Sequence, residues 1–92
     1  MEQAQTVLTS VNTMTRTGRA ARRLVLFDRA KEAMGSARRL GEVIGVCRRN
    51  VHQKLENDRH LTDWELKLAA DEIDRMAREF DQLAADIRKV LA

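Results

Sequence analysis

The segment that decides the fold runs from Ala37 to Leu55 and reads ARRLGEVIGVCRRNVHQKL. Ala37–Ile44 carries the apolar spacing of a short helix and Arg48–Glu56 that of a second, with Gly45-Val46-Cys47 as the break between them. Glycine at the start of the break allows a left-handed backbone that other residues resist. Gly41, four positions earlier, lets the second helix approach the first closely. Val51, six positions after Gly45, fills the angle between the two helices. Leu40, Ile44 and Val46 supply the remaining apolar contacts.

With Val51 facing inward, the outer face of the second helix consists of Arg48, Arg49, His52, Gln53 and Glu56, and Asn50 lies near the same end. These residue types suit base edges: arginine pairs bidentately with guanine and glutamine with adenine. Arg38 and Arg39 stand at the start of the preceding helix, where backbone N–H groups and positive charge together can hold a phosphate. Arg59, Arg16 and Arg19 are further candidates for the nucleic-acid backbone or minor groove. The net charge of +3 conceals a division, with +7 on residues 1–54 and −4 on residues 55–92. Arginine outnumbers lysine by thirteen to four. Its planar fork matches phosphate and base edges better than an ammonium does. A basic half joined to an acidic half reads as a polyanion-binding module followed by an element that stays off the polyanion.

Through Leu40, Gly41, Ile44, Gly45, Val46 and Val51 the segment resembles the helix-turn-helix of phage Cro and repressor-type regulators, including the lambda CII type. The resemblance implies that Arg48–Glu56 is a recognition helix lying in the major groove of double-stranded DNA, with its N-terminal residues at base edges. It further implies a sequence-specific transcriptional regulator of phage or mobile-element type. The expected mode is repression, by a dimer that occludes a promoter at a pseudo-palindromic operator. Three positions depart from the family pattern. Gly41 stands where alanine is usual, an exchange expected to be sterically harmless. Cys47 stands where serine or threonine caps the recognition helix. Lys54 replaces an apolar residue, often tryptophan, whose role Leu55 is placed to take.

Upstream, residues 1–17 are polar and threonine-rich, with helical and strand-like spacings in competition, and read as a flexible arm. From Arg19 to Met34 the pattern is helical: Ala20, Leu24, Phe27 and Ala30 or Met34 share a face. Thr17-Gly18 is a suitable start and Gly35 a suitable stop, after which Ser36 can cap the next helix. Downstream, Asn57–His60 is a polar turn and Thr62-Asp63-Trp64-Glu65 has the form of a capping box. A fourth helix then runs from Asp63 to about Leu91 without a breaker. Leu61, Trp64 and Leu68 are expected to close the core against the paired short helices. Ion pairs Asp71–Arg75 and Asp74–Arg78 fit the four-residue spacing.

Along this fourth helix apolar residues recur at Leu66, Ala69, Ile73, Met76, Phe80, Leu83, Ile87 and Val90, in alternating steps of three and four. That is a heptad seam. Ala70, Ala77, Ala84 and Leu91 widen it on one side, and Glu65, Glu72, Glu79 and Asp86 flank it on the other. Leaving the large side chains from Ile73 to Val90 in water would forfeit about 1.5–3 kcal/mol each. The expected cover is a second copy of the helix, so Ile73, Met76, Phe80, Leu83, Ile87 and Val90 are read as a homodimer interface. A parallel pair sets the acidic flank against alanine, whereas an antiparallel pair sets it against itself; a four-helix dimer using the first helix or the arm, or a fold-back of the fourth helix on the first, also fits.

The expected organisation is thus all-α: an arm over 1–17, a helix-turn-helix DNA-binding domain over 18–70 and a dimerisation helix over 71–92. Composition agrees, since proline and tyrosine are absent and aromatics make up only 3%. No apolar run approaches a membrane span and the N-terminus lacks a signal-peptide layout, so no membrane partner and a cytoplasmic location are expected. One cysteine allows no internal disulfide. Cys47, His52 and His60 match no zinc spacing and would need Asp58 or Asp63 as a further ligand, so neither metal nor other cofactor is expected. No phosphate loop, nucleophile set or carboxylate pair suggests an enzyme. Two other readings fit the same features. One is a protein-interaction module, an inhibitor or adaptor, that offers the heptad stripe to a foreign helix. The other is a DNA-packaging or architectural protein.

Overall fold

A computed structural model of the chain describes residues 16–92. These form four α-helices and one short 3₁₀ turn, with no strand among the described residues. Helix α1 spans Arg16–Met34, α2 Ala37–Ile44, α3 Arg48–Glu56 and α4 Asp63–Leu91, and the 3₁₀ turn is Asp58–His60. The all-α class and the bounds of α2, α3 and α4 agree with the sequence reading. Helix α1 starts three residues earlier than expected, so Arg16 and Thr17 belong to a helix and not to an arm. One glycine inside a helix costs only about 1 kcal/mol relative to alanine, too little for Gly18 to set a boundary. The rest of the expected arm lies outside the described residues. Helix α4 passes unbroken through the expected boundary at 70/71.

Each element forms for a local reason. Ser36 caps α2, its hydroxyl accepting from the Arg39 N–H at 3.1 Å. Gly45 ends that helix in the left-handed region, with φ 82° and ψ 28°. The N–H groups of Gly45 and Val46 both donate to the Gly41 carbonyl, at 2.8 and 2.9 Å. This folds the turn back onto α2, and Gly41 takes the contact. A Cβ there would lie 2.5 Å from the Val46 carbonyl oxygen and 3.3 Å from a Val51 methyl. Alanine at position 41 is therefore not harmless, because its nearest obstacle is backbone and cannot swing aside. The capping box of α4 is complete: the Thr62 hydroxyl accepts from the Glu65 N–H at 3.1 Å, and the Glu65 carboxylate accepts from the Thr62 N–H at 3.0 Å.

The core gathers Phe27 of α1, Leu40 and Ile44 of α2, Val51 of α3, Leu61, and Ala69 of α4. Phe27, Leu40 and Val51 have no exposed surface at all. Leu55 and Leu68 pack against this cluster. Trp64 does not join it and stays 63% exposed, with the Lys67 ammonium 5.5 Å from its ring centroid. The expected face ran backward through the cap, but Leu61 has extended backbone outside the helix. Its direction therefore says nothing about Trp64, and the inward place in the first turn of α4 belongs to Glu65.

Helix α4 outruns its support. Leu66 and Ala69 pack into the core, whereas Phe80, Leu83, Ile87 and Val90 lie open. The surface ion pairs also differ from those expected. Arg75 binds Glu72 and Glu79, and Lys67 binds Asp71 at 2.9 Å. Asp71–Arg75 does not form, because Glu72, already fixed by Arg39, draws Arg75 back by one turn, and Asp74–Arg78 does not form either.

Candidate nucleic-acid interface

Helix α3 has two chemically distinct sides. Its inner side holds Val51, completely buried, with Leu55 beside it. Its outer face, at 3.6 residues per turn, carries Arg48, Arg49, His52, Gln53 and Glu56, and Asn50 sits at the flank of that face. All six are exposed. Among the described residues, Arg48 and Arg49 form no ion pair. The N-cap Cys47 is exposed and makes no side-chain hydrogen bond to the first turn. That turn also contains no acidic residue. The positive end of the helix dipole and two exposed arginines thus share the first turn of α3.

Several cations elsewhere are committed to carboxylates, whereas Arg19, Arg22, Arg29 and Arg59 are exposed like Arg48 and Arg49. Arg23 donates to Asp58 at 2.6 Å, to the Leu61 carbonyl at 2.6 Å, and to Asp63. Its hydrogen bond with Asp58, followed by that with Asp63, raises its pKa further above the usual arginine range. This clasp joins α1 to the 3₁₀ turn and to the start of α4. Lys54 meets Glu65 at 3.0 Å in a largely enclosed pair, and so explains the departure from an apolar residue at that position. Burial is the strongest influence on Glu65 and pushes its pKa up. The Thr62 N–H, the Lys54 ammonium and the Thr62 hydroxyl together outweigh burial, so the carboxyl lies below its usual range. Glu72 is likewise held low, chiefly by its hydrogen bond from Arg75.

The two expected phosphate contacts of α2 divide. Arg38 is open to solvent over 83% of its side chain and only loosely associated with Glu42, at 3.6 Å. Arg39 instead reaches across to Glu72 of α4 at 2.7 Å and to Glu42 at 3.5 Å. It acts in this structure as a tie between α2 and α4. Of the backbone candidates, Arg59 and Arg19 are exposed. Sequence reading missed the Arg23 clasp, whose partners lie 35 and 40 residues away in the chain. No spacing rule reaches so far. The Lys54–Glu65 pair had one visible trace, a lysine at a position expected to be apolar.

Asp58 and Asp63, the possible supplementary metal ligands, are both engaged by Arg23. Among the described residues no three histidine, cysteine or carboxylate groups gather where they could hold a metal ion. None of the described helices is long and apolar enough to cross a membrane. Comparisons with protein-family models, with curated proteins and with solved structures found no match.

Proposed function

We propose that the protein binds double-stranded DNA sequence-specifically as a homodimer, laying α3 in the major groove, and represses transcription by occluding a promoter. The observation that carries this reading is the outer face of α3: Arg48 and Arg49 stand exposed and unpaired beside Gln53, Asn50 and His52, while Arg23, Arg39, Arg75 and Lys54 are bound to carboxylates. Free guanidinium groups next to amides match the donor and acceptor pattern of base edges in the major groove. Arg38, exposed at the start of α2, offers a further cation for a phosphate. The acidic α4 faces repulsion from DNA, which favours approach through the basic side.

Selection of bound sites from a random duplex pool should yield a consensus, and binding to it should weaken steeply as salt is raised. Arg48→Ala and Arg49→Ala should each cost about 1–3 kcal/mol against the best site and relax discrimination at one base pair. Unchanged affinity in both variants would remove α3 as the reading element. The open stripe from Phe80 to Val90 supports one other reading, a module that docks a foreign helix. A pure protein that sediments as a monomer and selects no consensus would favour that module.

A further inference from the structure

The lower part of α4 and its bare end are opposite in shape. Beside the core, α1 and α4 border an open, largely apolar groove of about 590 Å³, walled by Leu26, Ala30 and Ala33 of α1 and by Leu66, Ala70 and Ile73 of α4, with Arg29 and Asp74 also in its lining. Small side chains make it concave. Farther along the same seam, Phe80, Leu83 and Ile87 form a convex ridge, exposed by 62%, 55% and 53%. Met76 connects the two. A surface with a groove and a matching ridge on one helix is self-complementary under a two-fold axis, provided the axis crosses between them. On α4 that point is near Ala77.

We propose that two copies pair antiparallel through α4, with Leu83 and Ile87 of each seated in the α1–α4 groove of the other and Phe80 packed near the axis. The proposal rests on the dimeric reading above and adds the orientation and the α1 contribution to the interface. A parallel, in-register pair sets ridge on ridge and leaves both grooves open. The charge objection to an antiparallel pair is removed within each chain. Glu65 is bound to Lys54 at 3.0 Å, Glu72 to Arg39 at 2.7 Å and to Arg75, and Glu79 to Arg75. Three of the four flanking carboxylates therefore carry their own cation when they meet. On the other side of the seam Ala70, Ala77 and Ala84 recur every seven residues, and Ala70 then lies opposite Ala84 of the second copy. Alanine permits close approach there.

This orientation has a consequence for DNA. Each α3 is anchored to α4 at Glu65 through Lys54. With the axis near Ala77, the two anchors are about 36 Å apart along the rod at 1.5 Å per residue. Adjacent major-groove half-sites on one face of B-DNA are about 34–36 Å apart. A parallel pair would bring both anchors to the same end.

The test uses full-length chains carrying Cys47→Ser. One preparation mixes Ala70→Cys with Ala84→Cys chains, and another contains Val90→Cys alone. Each is mildly oxidised after its mass is measured by sedimentation. The expected result is a dimer in both, a 70–84 disulfide in the mixture, and loss of cross-linking for Val90→Cys, whose two sulfurs would be about 39 Å apart. A disulfide demands Cα atoms within about 7 Å. A dimer that cross-links through Val90→Cys, or one that forms no 70–84 bond, overturns the antiparallel arrangement and leaves the DNA-binding dimer standing. A monomer overturns both.

Discussion

The two halves of α4 carry one unbroken seam, yet among the described residues only one half is covered. Around Leu66 and Ala69 the seam meets α1 and the core, whereas from Phe80 to Val90 it stays open among the described residues. The periodicity is the same in both, so heptad spacing marks a face that benefits from cover without naming what covers it. Supply decides the difference. Helix α1 reaches only the near half, and α2 and α3 are already consumed by the core around Leu40 and Val51.

The sharpest way to break this contrast is a pair of equal substitutions. Phe27→Ala empties a site with no exposure and should lower unfolding stability by about 3–5 kcal/mol. Phe80→Ala, on the bare half, should leave the unfolding of the dilute monomer nearly unchanged while weakening self-association. Denaturant titrations at low and high protein concentration separate the two effects. A large loss of monomer stability from Phe80→Ala would mean that the far half is covered from within.

A second, smaller effect concerns the electrostatic seat of the near half. Glu65→Gln should cost about 1–3 kcal/mol, because it leaves the Lys54 ammonium without its charge partner in a largely enclosed place. The pH profile carries the sign. The folded chain holds the Glu65 carboxyl below its ordinary value, so its contribution is complete above the unfolded pKa, about 4.3, and is lost as the pH falls through the lower folded value. Wild type should therefore lose more stability than Glu65→Gln across that acid range. Parallel profiles would show that the pair contributes nothing.

The smallest effect should come from Trp64→Ala. Trp64 belongs to the near half but points outward, so its removal should change stability by about 0.5 kcal/mol or less. A loss of several kcal/mol would restore it to the core and blur the distinction between the halves.

Local signals were the legible part of this chain. Ser36, Gly45, Thr62 and Glu65 act within a few residues of themselves, and they mark both ends of α2 and the start of α4. Apolar spacing likewise identified Phe27, Leu40, Ile44 and Val51 as core. The outer face of α3 followed from the inward turn of Val51. What escaped were decisions taken between distant segments. Arg23 and Arg39 look alike to Arg48 and Arg49 in the sequence, and only folding brings carboxylates to the first pair. Trp64 was misplaced because the helical period does not extend across its cap. The tightness at Gly41 arises from a carbonyl five residues on, which side-chain volumes cannot reveal.

The Arg23 clasp alters how the proposed DNA association should respond to electrolyte. Of eleven basic residues in the first 54, Arg23, Lys31, Arg39 and Lys54 already have carboxylate partners at 3.0 Å or less. Such groups displace few condensed counterions from a duplex, since binding would first have to strip away an internal anion. The chain thus behaves as a sparser polycation than its composition suggests.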